Sequence, residues 1–296
     1  MKVKNVLAYF KQRFPPVNMV LFAILFINVY SIASYFSSQP INFSVKIGLG
    51  IIAFISFFFR LRVFDEVKDY KIDQINHPDR VLQSGRVTLN QLFLLSAILT
   101  VSELVWSYWN GPLTLICWLV AVGYSLLMRY EFFIGSFLSK RLLLYACTHM
   151  VIMPFVMVWV WSAFNPDLHH PALYLLAGIS LLCGFSFELA RKIHAPAAER
   201  ETVDSYSKSL GYVTSIVCVL LVLLIGVVVQ CRILYTIQSN LWTYITICLL
   251  YVAIGFLFIK VVKRPDEKKL RLAELLVSLF MVISYISVII EIHLKS

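Results

Sequence analysis

Long apolar stretches alternate with short polar segments along the whole chain. Nine of the stretches contain about 18 or more predominantly apolar residues, enough for a helix to cross a hydrocarbon layer of about 30 Å. Because they are continuously apolar and do not alternate with a period of two, they predict transmembrane helices and not barrel strands. The predicted spans are 18–36, 43–60, 91–108, 112–128, 142–163, 171–189, 212–231, 241–259 and 272–292.

The polar segments between these stretches are too short to form a soluble domain. The two longest, at about 61–90 and 190–211, would not bury a core of their own. Hydrophobic residues make up 60% of the 296 residues and charged residues 14%, whereas a typical soluble domain has about 25% charged residues. We therefore predict an all-α fold, built as a single polytopic membrane domain over 1–296.

Positive charge is distributed unevenly between the two sides of the predicted membrane domain. If the N-terminus is cytoplasmic, all but three of the 26 lysines and arginines lie on the cytoplasmic side, the exceptions being Lys46, Arg232 and Lys295. This bias predicts a cytoplasmic N-terminus and a C-terminus on the opposite side, with a bacterial inner membrane as the expected location. It also accounts for the net charge of +10, so we expect membrane lipid and no nucleic acid as a partner.

One polar segment concentrates acidic residues directly after an apolar stretch. Residues 62–88 read RVFDEVKDYKIDQINHPDRVLQSGRVT and contain five of the 16 acidic residues. If the preceding helix continues, Asp65, Asp69 and Asp73 lie at i, i+4 and i+8 on one face. Such carboxylates repel one another, but they are oxygen ligands of the kind that Mg²⁺ uses together with substrate phosphates. The alternative is that they are solvated interfacial charges.

This segment resembles the first aspartate-rich motif of the UbiA superfamily of intramembrane prenyltransferases. The usual form of that motif is Asn-Asp-x-x-Asp-x-x-x-Asp, followed by Arg-Pro-Leu and a Gly. In DEVKDYKID, Asp65 stands at the Asn position, and the three Asp positions hold Glu66, Asp69 and Asp73. In the following DRVLQSG, Arg80 matches the arginine and a valine replaces the usual proline. These replacements keep oxygen ligands at the acidic positions.

The second motif of that family, Asp-x-x-x-Asp after the sixth span, is matched less well. The segment at this place reads FELARKIHAPAAERETVDSYSKSLG, with Glu188 at the first acidic position and Lys192 at the second. Either a later acid supplies the missing ligand, or Lys192 and Arg191 bind diphosphate directly in place of a second metal. The later acids of the segment are Glu199, Glu201 and Asp204.

The resemblance implies about nine helices around a central cavity. It also implies Mg²⁺-dependent transfer of a prenyl chain from a prenyl diphosphate to a small aromatic or lipid-linked acceptor. The implied metal ligands are Asp65, Glu66, Asp69 and Glu188. The implied catalytic residues are Asp69, Asp73 and Arg80. The implied diphosphate-binding residues are Arg80, Arg129, Arg191, Lys192 and Tyr124, of which Tyr124 and Arg129 end the fourth span, where the family places a tyrosine and a basic residue.

Three other functions are compatible with these patterns. A terpene cyclase of the same fold would capture the carbocation internally and release a cyclic product without an acceptor. A membrane transporter would need a cation site, although the acids lie at the interface and no span is interrupted by paired Gly or Pro. A non-catalytic scaffold fits the altered second motif. Within the spans, Glu103 is either a functional acid or a partner of a neighbouring helix, and His149 reads as a core histidine.

Overall fold

The computed structural model describes residues 2–199 and 204–295, and within these ranges the chain is helical with no β-strand. Two short 3₁₀ turns, Glu131–Phe133 and Pro196–Ala198, lie in connecting segments. The helices are α1 (Val3–Arg13), α2 (Pro16–Phe36), α3 (Val45–Asn76), α4 (Leu89–Trp109), α5 (Pro112–Arg129), α6 (Gly135–Leu138), α7 (Leu142–Met150), α8 (Ile152–Ser162), α9 (Pro171–Arg191), α10 (Tyr206–Ser209), α11 (Tyr212–Thr236), α12 (Leu241–Lys263) and α13 (Glu267–His293).

Nine spans of the described chain are long and apolar enough to cross a membrane, which confirms the predicted number and the all-α class. The fifth span differs from the prediction because it is divided between α7 and α8. Pro154 explains the division, since its ring would meet the carbonyl of Met150, four residues earlier, and α7 ends at that residue.

α3 extends well beyond its predicted span. It continues through the acidic segment to Asn76 and contains 32 residues, which corresponds to a length of about 48 Å. Because the hydrocarbon layer is only about 30 Å thick, the last turns of α3 project out of it. The acids of the first motif therefore lie on a rigid helix and not on a flexible loop.

The two polar segments join the most extensively packed helix pairs, α3 with α4 and α9 with α11. Each segment ends in Gly-x-Val-Thr, and each of these glycines has a left-handed backbone, with φ of +73° at Gly85 and +90° at Gly211. Glycine adopts such angles without the steric cost that a side chain brings. The two polar segments therefore lead into α4 and α11 through glycines of similar backbone conformation.

A buried ion pair joins α3, α4 and α5 inside the bundle. Glu103 is fully buried and accepts hydrogen bonds from Arg60 Nη1 at 2.7 Å, Ser56 Oγ at 2.9 Å and Trp118 Nε1 at 2.9 Å. A carboxylate in hydrocarbon is costly unless a cation and hydrogen-bond donors compensate its charge. Of the two interpretations of Glu103, the structure supports the partner of neighbouring helices.

We expect Glu103→Ala to lower the stability of the protein by about 3–5 kcal/mol, because it leaves the Arg60 guanidinium buried without its counter-ion. The double variant Arg60→Met/Glu103→Leu removes both charges and should recover most of the loss. Thermal unfolding of the purified variants in one detergent measures both effects. Equal destabilisation by the single and the double substitutions would contradict this explanation.

Candidate active site

Glu66, an acid of the first motif, is neutralised inside the protein. It is fully buried and accepts hydrogen bonds from Arg13 Nε at 2.6 Å and Arg62 Nη2 at 2.7 Å. The Tyr9 hydroxyl donates to the same carboxylate at 3.3 Å. Burial and the neighbouring Glu66 charge raise the pKa of Tyr9, so its hydroxyl stays protonated as a donor. Glu66 is thus engaged by two cations and a phenol.

Asp73 belongs to the same ion-pair network. It binds Arg80 Nη1 at 2.5 Å and Arg13 Nη2 at 3.2 Å, so that Arg13 bridges Glu66 and Asp73. The two acids are seven positions apart, almost two full helical turns, so both lie on the side of α3 that faces α1. The structure therefore places three predicted site residues in this network: Glu66, Asp73 and Arg80.

Asp65 and Asp69 keep their carboxylates available. They lie one turn apart on α3, and 56% of the Asp65 side chain is exposed. Within the described chain, the one ion-pair contact of Asp65 is with Arg62 at 3.9 Å, and Asp69 has no hydrogen bond or ion pair. No group of three or more His, Cys, Asp or Glu side chains in the described ranges forms a ready metal site. We call Asp65 and Asp69 the uncommitted acids, because their carboxylates have no close partner among the described residues and could bind further ligands.

Glu188 of the second motif is paired with two cations at the end of α9. Its carboxylate binds Arg191 Nη2 at 2.5 Å and Lys192 Nζ at 2.9 Å. Arg191 is also close enough to Asp65 of α3 for the two charges to influence each other. The structure thus brings the two predicted motifs together at one end of the bundle, with carboxylates on one side and a basic group on the other.

Tyr206 adds an uncharged donor beside the second motif. Its backbone N–H donates to the carbonyl of Lys192 at 3.0 Å, and its side chain is fully buried. Its hydroxyl has no hydrogen-bond partner among the described residues, and it lies close enough to Glu188 and Arg191 to interact with both charges. Burial raises the pKa of Tyr206, so the hydroxyl remains protonated at physiological pH. The Tyr206 hydroxyl is therefore a hydrogen-bond donor that has no acceptor among the described residues.

The first residues after α9 are fixed in place by α13. Arg271 donates to the carbonyls of Arg191 at 3.0 Å and Ile193 at 2.6 Å. Glu267 accepts from the backbone N–H of Ala195 at 2.8 Å. Backbone groups that are held by charged side chains have little freedom to move, because both partners would lose a charge-assisted bond. The backbone that follows Arg191 and Lys192 is therefore held in place by side chains of α13.

The structure describes two of the three later acids of the second motif, Glu199 and Asp204. Glu199 accepts a hydrogen bond from Ser205 Oγ at 2.9 Å. Asp204 is exposed, and Glu201 falls outside the described residues. Of the two alternatives that the sequence leaves open, the contacts of Arg191 and Lys192 with Glu188 support the one in which these residues supply positive charge, and the alternative ligand Glu201 lies outside the described residues.

Tyr124 and Arg129, at the end of α5, have other partners in the structure. The Tyr124 hydroxyl donates to the carbonyl of Thr148 at 2.6 Å. The Arg129 guanidinium lies 5.0–5.4 Å from the centres of three aromatic rings, those of Phe64, Phe93 and Tyr130. An arginine over aromatic faces gains cation–π attraction and does not need a carboxylate. Among the residues that the structure describes, no hydrogen bond or ion pair joins Tyr124 or Arg129 to the acids of the two motifs.

Sequence reasoning missed Glu131, which follows α5 in a left-handed turn. Three consecutive residues, Glu131, Phe132 and Phe133, have φ of 49°, 55° and 60°, a conformation that costs about 1–2 kcal/mol per residue. Glu131 binds Lys68 of the first motif at 2.6 Å, and Lys68 also contacts the Tyr145 hydroxyl. The sequence does show an acid just beyond the end of a predicted span. Its partner Lys68 could not be predicted from the spacing of residues along the chain.

The chain matches the UbiA prenyltransferase family over residues 19–283. A structure from work on the biosynthesis of digeranylgeranylglyceryl phosphate synthase in membranes is similar, with 19% identity and a TM-score of 0.70, over 98% of this chain and 99% of that one. The apo structure of a UbiA homologue from Aeropyrum pernix K1 gives 14% identity and a TM-score of 0.66, over 90% and 97%. No curated protein gave a significant sequence match. The family match spans most of the chain, and the protein is a member of the UbiA prenyltransferase family.

Proposed function

We propose that the protein transfers a prenyl chain from a prenyl diphosphate to a small aromatic or lipid-linked acceptor in the membrane, with Mg²⁺ as the cofactor. One observation carries the proposal: the Asp65 carboxylate, one helical turn from that of Asp69, is close enough to Arg191 at the basic end of α9 for the two charges to interact. A metal-bound diphosphate needs both kinds of group. The charge bias of the loops supports a cytoplasmic position for this end of the bundle.

Asp65 and Asp69 are the residues that would hold Mg²⁺. This ion is usually bound by one or two carboxylates, with waters and substrate phosphates completing its octahedron. The Asp65 and Asp69 carboxylates fit that requirement because they have few partners in the structure. The carboxylates of Glu66 and Asp73 would first have to break their ion pairs with arginine. When bound, the ion supplies positive charge to the oxygens of the departing diphosphate.

Arg191 and Lys192 would bind the diphosphate from the other side. A guanidinium contacts two phosphate oxygens at once and an ammonium acts as a point charge, so the pair can stand in for a second metal. In the structure Glu188 binds both cations, and we assign it the role of positioning them. The protonated Tyr206 hydroxyl is a further donor for a phosphate oxygen.

The reaction breaks the bond between the allylic carbon and a diphosphate oxygen while the acceptor nucleophile forms a bond to that carbon. Negative charge develops on the diphosphate, and fixed positive groups stabilise it without reorganisation. The site lies where α3 and α9 leave the hydrocarbon layer, so the diphosphate can stay at the interface while the prenyl chain lies among apolar spans. Apolar walls keep water from the reactive carbon.

The purified protein should be supplied with labelled prenyl diphosphates of several lengths, each with Mg²⁺ or with EDTA. The acceptors should include phenols and polar lipids, and a glyceryl phosphate lipid belongs among them because the first similar structure is a synthase of such a compound. Metal-dependent diphosphate release with a prenylated product would support the proposal. A cyclic product without acceptor would identify a cyclase, and no release from folded protein would favour a non-catalytic role.

We expect Asp69→Asn to reduce Mg²⁺-dependent diphosphate release by at least about 100-fold, because the amide has lost the charge that holds the cation. Asp79→Asn is the matched control, since Asp79 is an exposed acid of the same segment. Rates are measured at saturating Mg²⁺, with thermal unfolding to confirm that both variants fold. Near-normal activity of Asp69→Asn would show that the metal site is elsewhere.

We expect Lys192→Ala to raise the KM for the prenyl diphosphate about tenfold, because one charge-assisted contact to the diphosphate is lost. Lys140→Ala, the same change at an exposed lysine after α6, should leave KM unchanged. Initial rates over a range of donor concentrations separate KM from kcat. An unchanged KM in Lys192→Ala would remove Lys192 from the diphosphate site.

A further inference from the structure

A lysine stands between the two uncommitted acids of the first motif. Lys68 follows Asp65 by three residues and precedes Asp69 by one, and its charge acts on both carboxylates. An ammonium that bound either acid would compete with a metal ion for it. In the structure Lys68 forms an ion pair with neither of them.

Lys68 is instead drawn toward the segment that follows α5. Its Nζ atom lies 2.6 Å from Glu131 Oε1, contacts the Tyr145 hydroxyl, and sits 4.0 Å from the centre of the Tyr145 ring. These contacts give the ammonium a counter-ion, an acceptor and an aromatic face. Together they satisfy its charge at a place outside the Asp65–Asp69 pair.

The position of Glu131 depends on a specific local fold. The left-handed turn that begins at Glu131 is held by Phe132, whose ring lies 5.5 Å from that of Tyr124 and 6.0 Å from that of His149. The Glu131 carboxylate also covers Gly135, where an added Cβ would overlap with Glu131 Oε2. The left-handed turn and the need for a glycine at position 135 both constrain the sequence. They indicate that the position of the Glu131 carboxylate is maintained at a cost in stability.

We propose that Glu131 is a positioning residue that holds the Lys68 ammonium away from Asp65 and Asp69, so that both carboxylates stay free for a divalent cation. This inference rests on the proposed function, because it takes the Asp65–Asp69 pair as the metal site. Glu131 lies outside both acidic motifs, so its role is not implied by them. The arrangement keeps a positive charge beside the diphosphate site without neutralising the acids.

Binding of Mn²⁺ alone to the full-length protein in detergent tests the proposal, with the free ion measured by electron paramagnetic resonance. Glu131→Gln should weaken Mn²⁺ binding about tenfold, because the released ammonium moves to the acids. Lys68→Met should bind at least as tightly as the unchanged protein. The double variant should bind within about threefold of Lys68→Met, since no ammonium remains to compete.

Gly135→Ala provides a second variant that alters no charge. Its methyl group displaces the Glu131 carboxylate, so it should weaken Mn²⁺ binding as Glu131→Gln does and should likewise be rescued by Lys68→Met. Asp266→Asn is the matched control: it breaks an exposed ion pair with Lys269 while asparagine still caps α13. This control should leave the affinity for Mn²⁺ unchanged.

The outcomes separate the inference from the function on which it rests. If Glu131→Gln and Gly135→Ala bind Mn²⁺ as the unchanged protein does, Glu131 has no positioning role and the metal site stands. If they bind weakly and Lys68→Met does not rescue them, Glu131 acts through the fold or as a ligand, which also overturns the inference. If the unchanged protein binds no more Mn²⁺ than Asp69→Asn, the metal site itself is wrong.

Discussion

The Arg13 guanidinium, held between Glu66 and Asp73, is the contact on which the arrangement of the first motif depends. Four acids within nine residues of one helix repel each other, and a folded protein must neutralise or solvate them. Arg13 pairs with the two acids of this face that lie nearest α1, and it leaves the neighbouring Asp65 and Asp69 without such a partner. Because α1 precedes the family match at 19–283, this division is made by a segment outside the matched region.

Two other carboxylates of the bundle are also paired with cations. Glu103 is buried with Arg60 inside the membrane, and Glu188 is bound by Arg191 and Lys192 where α9 ends. Buried or half-buried carboxylates keep partners because an unpaired charge costs several kcal/mol of desolvation, about the size of the whole stability margin. Against this background the Asp65–Asp69 pair stands out, since its one ion-pair contact among the described residues is the long one between Asp65 and Arg62, at 3.9 Å.

The sequence predicts the spans well because lipid offers no partner to the backbone, so each long apolar stretch has to be a helix. It also predicts that α3 and α9 carry the two motifs. It does not predict the division of the first motif, because Arg13 reaches Glu66 over 53 residues of chain. Arg129 illustrates the same limit: spacing suggests a diphosphate-binding residue, while its neighbours in space are aromatic rings. Glu131 is placed by a left-handed turn, which no hydrophobic pattern reveals.

The altered second motif has a consequence for the number of metal ions. Asp65 and Asp69 carry two negative charges, which one Mg²⁺ ion neutralises. At the second motif Glu188 carries one negative charge and Arg191 with Lys192 carry two positive charges, so in the proposed function that side would attract a diphosphate without a metal ion. An aspartate in place of Lys192 would reverse the sign and require a cation there. We therefore expect a site that works with a single metal ion, bound on α3, with α9 supplying the remaining positive charge.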